Sequence, residues 1–360
     1  MSVLLYGAYG YTGRLIAQEA VDRGLRPVLA GRNEERLASL ATRLDCPTRV
    51  STLTDPKRLR SILDGVSAVL HCAGPYVQTG PPMVEACLDT DTHYLDLTGE
   101  MDVFRHLADR SSEAEAADIM FLPGIGFDVV PTDCLASLVA ARATGATTLE
   151  IAVYAQGTVS QGTLKTVIEQ MGRGGLVRRN GQLRAVPPGW TSRTVDFGDR
   201  SRRVISIPEG SVVTSGFSTD VPNVTAYLAL PPLAQSLLRA SRYVQGLLRW
   251  RPVKQLLTRL VEMGREGPSA EERRRGRSVV WASARNGGGA PVTVRLHGPE
   301  PYTFTARAAV GALQRVRDGT APPGYQTPAT AFGADFVFDV EGVEGTIVSD
   351  GSGRDAEGKT

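Results

Sequence analysis

At 360 residues, 42% of them hydrophobic and 22% charged, the chain is long enough for two domains with a core each, and its composition argues against a disordered or membrane-spanning protein. A formal net charge of +2 is too small to make nucleic acid an expected partner. Four cysteines (Cys46, Cys72, Cys87, Cys134) lie far apart with no C-x-x-C or histidine pairing, which indicates neither a metal site nor a disulfide framework.

The chain opens with an apolar run, Val3-Leu4-Leu5, patterned as a strand buried on both faces. Gly7, Gly10 and Gly13 follow, and a helical pattern begins near Leu15 and ends near Gly24. Strand, glycine turn and helix in that order make a dinucleotide site. The glycines allow a tight turn and close backbone approach, and the helix N-terminus offers N–H groups and partial positive charge to a pyrophosphate. The spacing is G-x-x-G-x-x-G, so Gly7, Tyr9, Gly10, Tyr11, Thr12 and Gly13 are the candidate cradle. The run is too short for a signal peptide, no stretch of about 18 apolar residues occurs, and a cytoplasmic protein is expected.

A second strand, 26–30, ends in Gly31-Arg32-Asn33. NAD-selecting enzymes usually place an acid here for the ribose 2′-hydroxyl; this chain has Arg32, whose guanidinium can pair with a 2′-phosphate, so NADP(H) is expected. A helix over Glu34–Leu44 precedes a third strand at 50–54 and a helix at 57–63 opened by Asp55, which lies near the adenine in this register. The fourth strand, 67–73, carries Cys72 and Ala73 into the turn Gly74-Pro75-Tyr76, at the carboxyl edge where open α/β sheets bind ligands. A helix at 82–88, a fifth strand at 93–97 and a sixth at 119–123 complete the alternation. It specifies a Rossmann-type, doubly wound parallel sheet over residues 1–140.

After Gly145 the rhythm changes to strand at 148–154, a helix from Ser160 to about Met171, and several β segments between 176 and 230, including 211–215 and 224–230. These predict a second α+β domain, 141–300, with a largely antiparallel sheet for substrate binding or dimerisation. Residues 233–263 read as a leucine-rich amphipathic helix broken at Pro252; packing on a core is preferred to membrane contact. Residues 266–277 read as a charged loop, and 279–284 with 292–297 as a hairpin. A helix ending near Arg317 and its loop (301–345) are expected to return to the first domain, with a frayed tail over 346–360.

The motifs Gly7–Gly13, Gly74-Pro75-Tyr76, Tyr94–Glu100 (YLDLTGE) and Gly126-Phe127-Asp128 resemble the saccharopine dehydrogenase-like oxidoreductases, and within them the bacterial branch containing the trans-acting enoyl reductases. The resemblance runs over nearly the whole chain. It departs at Ala8-Tyr9, where family members usually carry Ala-Thr or Ala-Ser. It implies a Rossmann domain, NADP(H), hydride transfer to a C=C or C=N bond, and a homodimer through the second sheet.

A nicotinamide reductase needs a pocket for the acceptor carbon and often one acid or hydrogen-bond donor. The candidates are Tyr76, Glu100 and Asp128: the Tyr76 phenol as donor or as packing for the nicotinamide, Glu100 (with Asp96) as acid or as cap of the helix near Met101, and Asp128 for substrate positioning or a turn. His71 reads as a satisfied core histidine, and His93, His106 and His297 have no partner visible in the sequence. The expected function is an NADPH-dependent reductase of an activated C=C bond in a lipid or natural-product intermediate, free or carried on an acyl-carrier protein. The alternatives are an imine reductase, with Lys165 and Arg193 as carboxylate binders, and a non-catalytic NADP-binding scaffold or membrane-peripheral protein.

Overall fold

The computed structural model describes residues 2–351 and the backbone of 355–359. In chain order, the first part runs β1 (Ser2–Tyr6), α1 (Tyr11–Asp22), β2 (Val28–Gly31), α2 (Glu34–Leu44), β3 (Thr48–Val50), α3 (Pro56–Leu63), β4 (Val66–His71), α4 (Tyr76–Asp89), β5 (His93–Asp96), α5 (Met101–Asp109), α6 (Ser111–Ala116) and β6 (Met120–Leu122). It continues through α7 (Val130–Arg142), β7 (Thr148–Ala155), α8 (Gln161–Gln170), β8 (Gly175–Arg179), β9 (Gln182–Val186), β10 (Ser192–Asp196), β11 (Ser201–Ser206), α9 (Ser211–Ser218) and β12 (Asn223–Ala229). The helices α10 (Pro232–Ala240), α11 (Gln245–Arg249), α12 (Arg251–Glu262) and α13 (Ala270–Arg275) precede β13 (Arg277–Arg285) and β14 (Val292–Pro299). The remainder is α14 (Pro301–Arg317), β15 (Gly324–Tyr325), α15 (Pro328–Phe332), β16 (Glu344–Asp350) and β17 (Asp355–Lys359).

Two compact units result: Met1–Val130 with Tyr302–Gly333, and Pro131–Pro301 with Ala334–Thr360. The first unit ends ten residues before the position expected from sequence, because α7 belongs with the second. Asp133 of α7 accepts a hydrogen bond from the Ser218 hydroxyl of α9 at 2.7 Å.

Unit 1 is built on a seven-stranded sheet in the order β15-β6-β5-β4-β1-β2-β3, with every pairing parallel. The order reverses between β1 and β4, so the chain's two glycine turns, after β1 and after β4, emerge side by side at the topological switch point. Local chemistry sets the helix starts: the Asn33 side chain caps α2 through Arg36 N–H at 2.8 Å, and Asp55 caps α3 through Arg58 N–H at 3.0 Å with Pro56 in the first turn. Leu4, Tyr6, Val69, Met83, Tyr94 and Phe121 form the heart of the core. The third strand lies at 48–50 rather than 50–54, and α4 starts at Tyr76 rather than Pro82, reading through Pro81 and Pro82. That early start needs an outside anchor, which Glu100 supplies (below).

Unit 2 carries a mixed sheet with the path β10-β11-β12-β7-β13-β14-β16-β17, antiparallel except for β12 on β7. Its core gathers Ala152, Val195, Phe197, Val204, Tyr227 and Trp281. Four expectations are corrected here. Residues 211–215 are helix α9, not strand: the Ser215 hydroxyl donates to the Ser211 carbonyl and Thr219 to the Ser215 carbonyl, the back-bonding of a helix. Residues 270–275 are helix α13 rather than loop, fixed by a capping box between Ser269 and Glu272. The tail expected to fray instead pairs as β16 along β14, and the backbone of β17 pairs with β16; residues 352–354 and 360 lie outside the described residues. The segment 233–263 breaks at 241–244 and at Trp250, with Pro252 in the first turn of α12, and only part of its leucine face is packed: Leu238, Leu248 and Leu257 are half-buried, whereas Leu233, Leu237, Leu247, Leu256 and Leu260 are exposed.

Candidate cofactor and active site

The turn after β1 is shaped so that only small residues fit. Gly7 has φ +81° and its N–H donates to the Ala30 carbonyl at 2.8 Å, tying the turn to the end of β2. A Cβ on Gly7 would sit 2.9 Å from the Cβ of Ala73, and one on Gly13 would run into the Gly7 carbonyl oxygen. So β1, α1 and the end of β4 meet at van der Waals limits, and the chain backbone itself forms the cradle. Gly10 brings no side chain to cap α1, which leaves the helix N-terminus open to an anion. Tyr11 turns its ring edge-on to Tyr302, centroids 5.1 Å apart.

Tyr9 lies across the end of β2, so close that a Cβ on Gly31 would be 2.6 Å from its ring. Its carbonyl accepts from Arg14 at 2.9 Å, and the Arg36 guanidinium stacks on its ring, 4.9 Å from the centroid. Arg32 is exposed beside this stack. Two guanidiniums thus flank the end of β2, where a ribose 2′-phosphate belongs in this fold. Arg36 was missed in the sequence, although its place in the first turn after Asn33 was readable. Asn33 and Asp55 spend a side-chain oxygen on capping α2 and α3.

The turn after β4 runs Cys72-Ala73-Gly74-Pro75. Cys72 N–H donates to the Tyr6 carbonyl at 2.8 Å, and burial pushes its thiol pKa up. Pro75 stands at the N-cap of α4 and offers no side-chain acceptor for the helix's first amides. The Glu100 carboxylate fills that role, accepting from Tyr76 N–H at 2.8 Å and Val77 N–H at 3.0 Å. Glu100 is therefore a cap, but of α4 rather than of α5, where its own side chain makes no capping bond. Both carboxylate oxygens are committed to holding the β4–α4 turn.

Tyr76 is buried in the unit 1 core. Burial, with Cys72, Asp96 and Glu100 nearby, holds its phenol well above the ordinary value, and the Leu97 N–H reaches the phenolic oxygen. Its ring meets His71 edge-on at 5.6 Å. Tyr76, read from sequence as a phenol donor or as packing for the nicotinamide, is a buried residue of the unit 1 core. Asp96 is likewise internal: its carboxylate accepts from Thr98 N–H and Gly124 N–H at 2.9 Å each and from the Tyr94 hydroxyl at 2.7 Å. Burial raises its pKa to about 6 despite those bonds.

Asp128 differs from these groups. Solvent reaches it, yet the surrounding protein desolvates the carboxyl and raises its pKa. One of its oxygens sits 3.1 Å from where a Gly99 Cβ would lie, so the loops after β5 and β6 bring Gly99 and Asp128 together. Among the histidines, His71 is fully buried with neither ring nitrogen hydrogen-bonded, and burial lowers its pKa to about 3; it is not the satisfied core histidine expected. His93 accepts from Met120 N–H at 3.0 Å. Lys165 pairs with Glu262 at 2.8 Å and Arg193 with Glu150, so both candidate carboxylate binders are already in ion pairs. Among the described residues no cluster of His, Cys, Asp or Glu could hold a metal ion.

Parallel sheet, switch-point glycine turn and paired arginines define a Rossmann-type dinucleotide-binding domain that fits NADP(H). Residues 3–122 match the saccharopine dehydrogenase NADP binding domain family. The fold is similar to that of apo saccharopine dehydrogenase (L-Glu forming) from Saccharomyces cerevisiae, with a TM-score of 0.62 over 93% of this chain and 96% of that one at 14% identity. In sequence the chain is similar to the trans-acting enoyl reductase of Mycobacterium leprae, 36% identical over 139 residues (36% of this chain, 33% of the relative). It is also similar to the trans-acting enoyl reductase of Mycobacterium tuberculosis strain H37Rv, 33% identical over 185 residues (47% of this chain, 44% of the relative). The chain thus spans less than half the length of these curated relatives.

Proposed function

We propose that the protein is an NADPH-dependent reductase of an activated C=C bond, acting on an enoyl thioester from lipid or natural-product assembly. The observation that carries this reading is the likeness to the mycobacterial trans-acting enoyl reductase, which extends over 185 residues and so beyond the NADP-binding domain of residues 3–122. The Gly7–Gly13 turn and the open end of α1 would hold the pyrophosphate, and Arg32 with Arg36 the 2′-phosphate. When bound, the reduced cofactor supplies a hydride to the carbon β to the thioester carbonyl.

The chain's own task is then to deliver one proton to the α carbon. Of the acids at the carboxyl edge, Glu100 holds α4 and Asp96 ties β5 to the loop after β6. Asp128 is the exposed carboxyl whose raised pKa keeps a proton closer to neutral pH than an ordinary aspartate does. The test is NADPH oxidation with a crotonyl or longer enoyl thioester. Asp128→Asn should lower kcat about 100-fold while NADPH affinity holds. Oxidation with a cyclic imine and none with any enoyl thioester would replace this reading with C=N reduction.

A further inference from the structure

We propose that the helices α10–α12 of unit 2 dock on the surface of an anionic lipid bilayer. The observation is an apolar face left in solvent. Leu233, Leu237, Leu247, Trp250, Leu256 and Leu260 are exposed, from 51% for Leu260 to 72% for Leu233, and neither α11 nor α12 has a buried residue. A scattered exposed leucine needs no explanation; five leucines and a tryptophan exposed within 28 consecutive residues call for one.

The geometry of α12 shows why the face is uncovered. Val253, Leu256, Leu257, Leu260 and Val261 recur at i, i+3, i+4, i+7 and i+8, one broad apolar side. Helix α8 meets only one edge of it. Lys254 pairs with Glu169 at 3.4 Å and Lys165 with Glu262 at 2.8 Å, and Leu257, Val261 and the half-exposed Leu260 line a cavity of ≈ 610 Å³ with Leu164, Ile168 and Met171. On the other edge Leu256 and Met263 are exposed, as are Leu233 and Leu237 of α10 and Leu247 of α11.

Charge decides the occupant. Residues 232–263 hold six basic side chains and one acidic one, while the whole chain is only +2, so the remainder is net negative. Arg242, Arg249, Arg251 and Arg259 are exposed. An isologous contact with a second copy would set this positive patch against itself. Leucines flanked by arginines, with Trp250 and Tyr243 exposed among them, are instead the composition of a helix lying in a lipid interface. No helix among the described residues is long and apolar enough to cross a membrane, so the contact is superficial. This inference does not depend on the reductase reading.

The experiment is flotation of the full chain with vesicles of phosphatidylcholine alone and of phosphatidylcholine with phosphatidylglycerol, followed also by tryptophan fluorescence. The protein should float with the anionic vesicles only, shift its emission to the blue, and be released by high salt. Arg251→Gln/Arg259→Gln and, separately, Leu233→Ser/Leu256→Ser should each weaken vesicle binding about tenfold or more. Both variants should keep wild-type NADPH affinity, which excludes misfolding as the cause. Protein that stays in solution with anionic vesicles, or that binds neutral ones equally, would overturn the proposal. An oligomer in light scattering that Leu233→Ser/Leu256→Ser dissociates, without vesicle binding, would assign the face to a second copy.

Discussion

Strand β1 of unit 1 and helix α12 of unit 2 are both rich in leucine, and they end in opposite environments. Leu4 and Leu5 are completely buried between β2 and β4, whereas Leu256 and Leu260 are 60% and 51% exposed. An apolar pattern states what a segment can bury; the neighbouring elements decide whether it does. The parallel sheet surrounds its first strand on every side, and α8 reaches one edge of α12 only. The same contrast separates the carboxyls of unit 1. Glu100 is enclosed and accepts from two backbone amides, Asp96 is enclosed and accepts from two backbone amides and the Tyr94 hydroxyl, while Asp128 remains within reach of solvent.

The contrast is measurable, beginning with the largest effect. Leu5→Ala should destabilise the protein by about 2–5 kcal/mol in urea unfolding, the loss for a fully buried leucine in a tight core. Glu100→Ala orphans the first two amides of α4 and should cost about 2–3 kcal/mol, with Glu100→Gln recovering part of it by keeping one acceptor oxygen. Asp96 gives a pH signature. Its pKa rises from 3.8 to about 6 on folding, so between those values the folded chain holds a proton that the unfolded chain has lost. Its contribution is fully present below about pH 4 and falls away as pH rises through about 6. Asp96→Asn should remove that slope, changing the difference from wild type by on the order of 1–3 kcal/mol between those pH values. Leu256→Ala should lie within about 0.5 kcal/mol of wild type. A Leu256→Ala cost as large as that of Leu5→Ala would mean that this face of α12 is buried in solution.

Much of unit 1 was legible in the sequence because each of its signals is local. The glycine turn, Asn33 and Asp55 before their helices, and the alternation of strand and helix each depend on residues a few positions apart. What was not legible depends on partners distant in the chain. Pro75 gives no sign that Glu100, 25 residues later, will cap the helix it opens, and so α4 was expected to begin too late. Tyr76 was placed at the correct edge of the sheet, but its inward orientation follows from the packing of His71, Cys72 and Leu97 around it. The run Ser211–Ser215 is apolar enough for either period, and only the helical hydroxyl bonds resolve it. The capping box at Ser269 and Glu272 is a local signal in the sequence, masked by the run of charges that follows it.

The central claim is that the cradle after β1, with Arg32 at the end of β2, selects the phosphorylated dinucleotide. Calorimetric titration of the wild type and of Arg32→Ala with NADPH and with NADH tests it directly. The wild type should bind NADPH well ahead of NADH, and Arg32→Ala should lose about 10–100-fold in NADPH affinity, the range for one charge-assisted phosphate contact, with NADH little changed. Equal binding of the two nucleotides by the wild type, or NADPH affinity indifferent to Arg32→Ala, would contradict the claim.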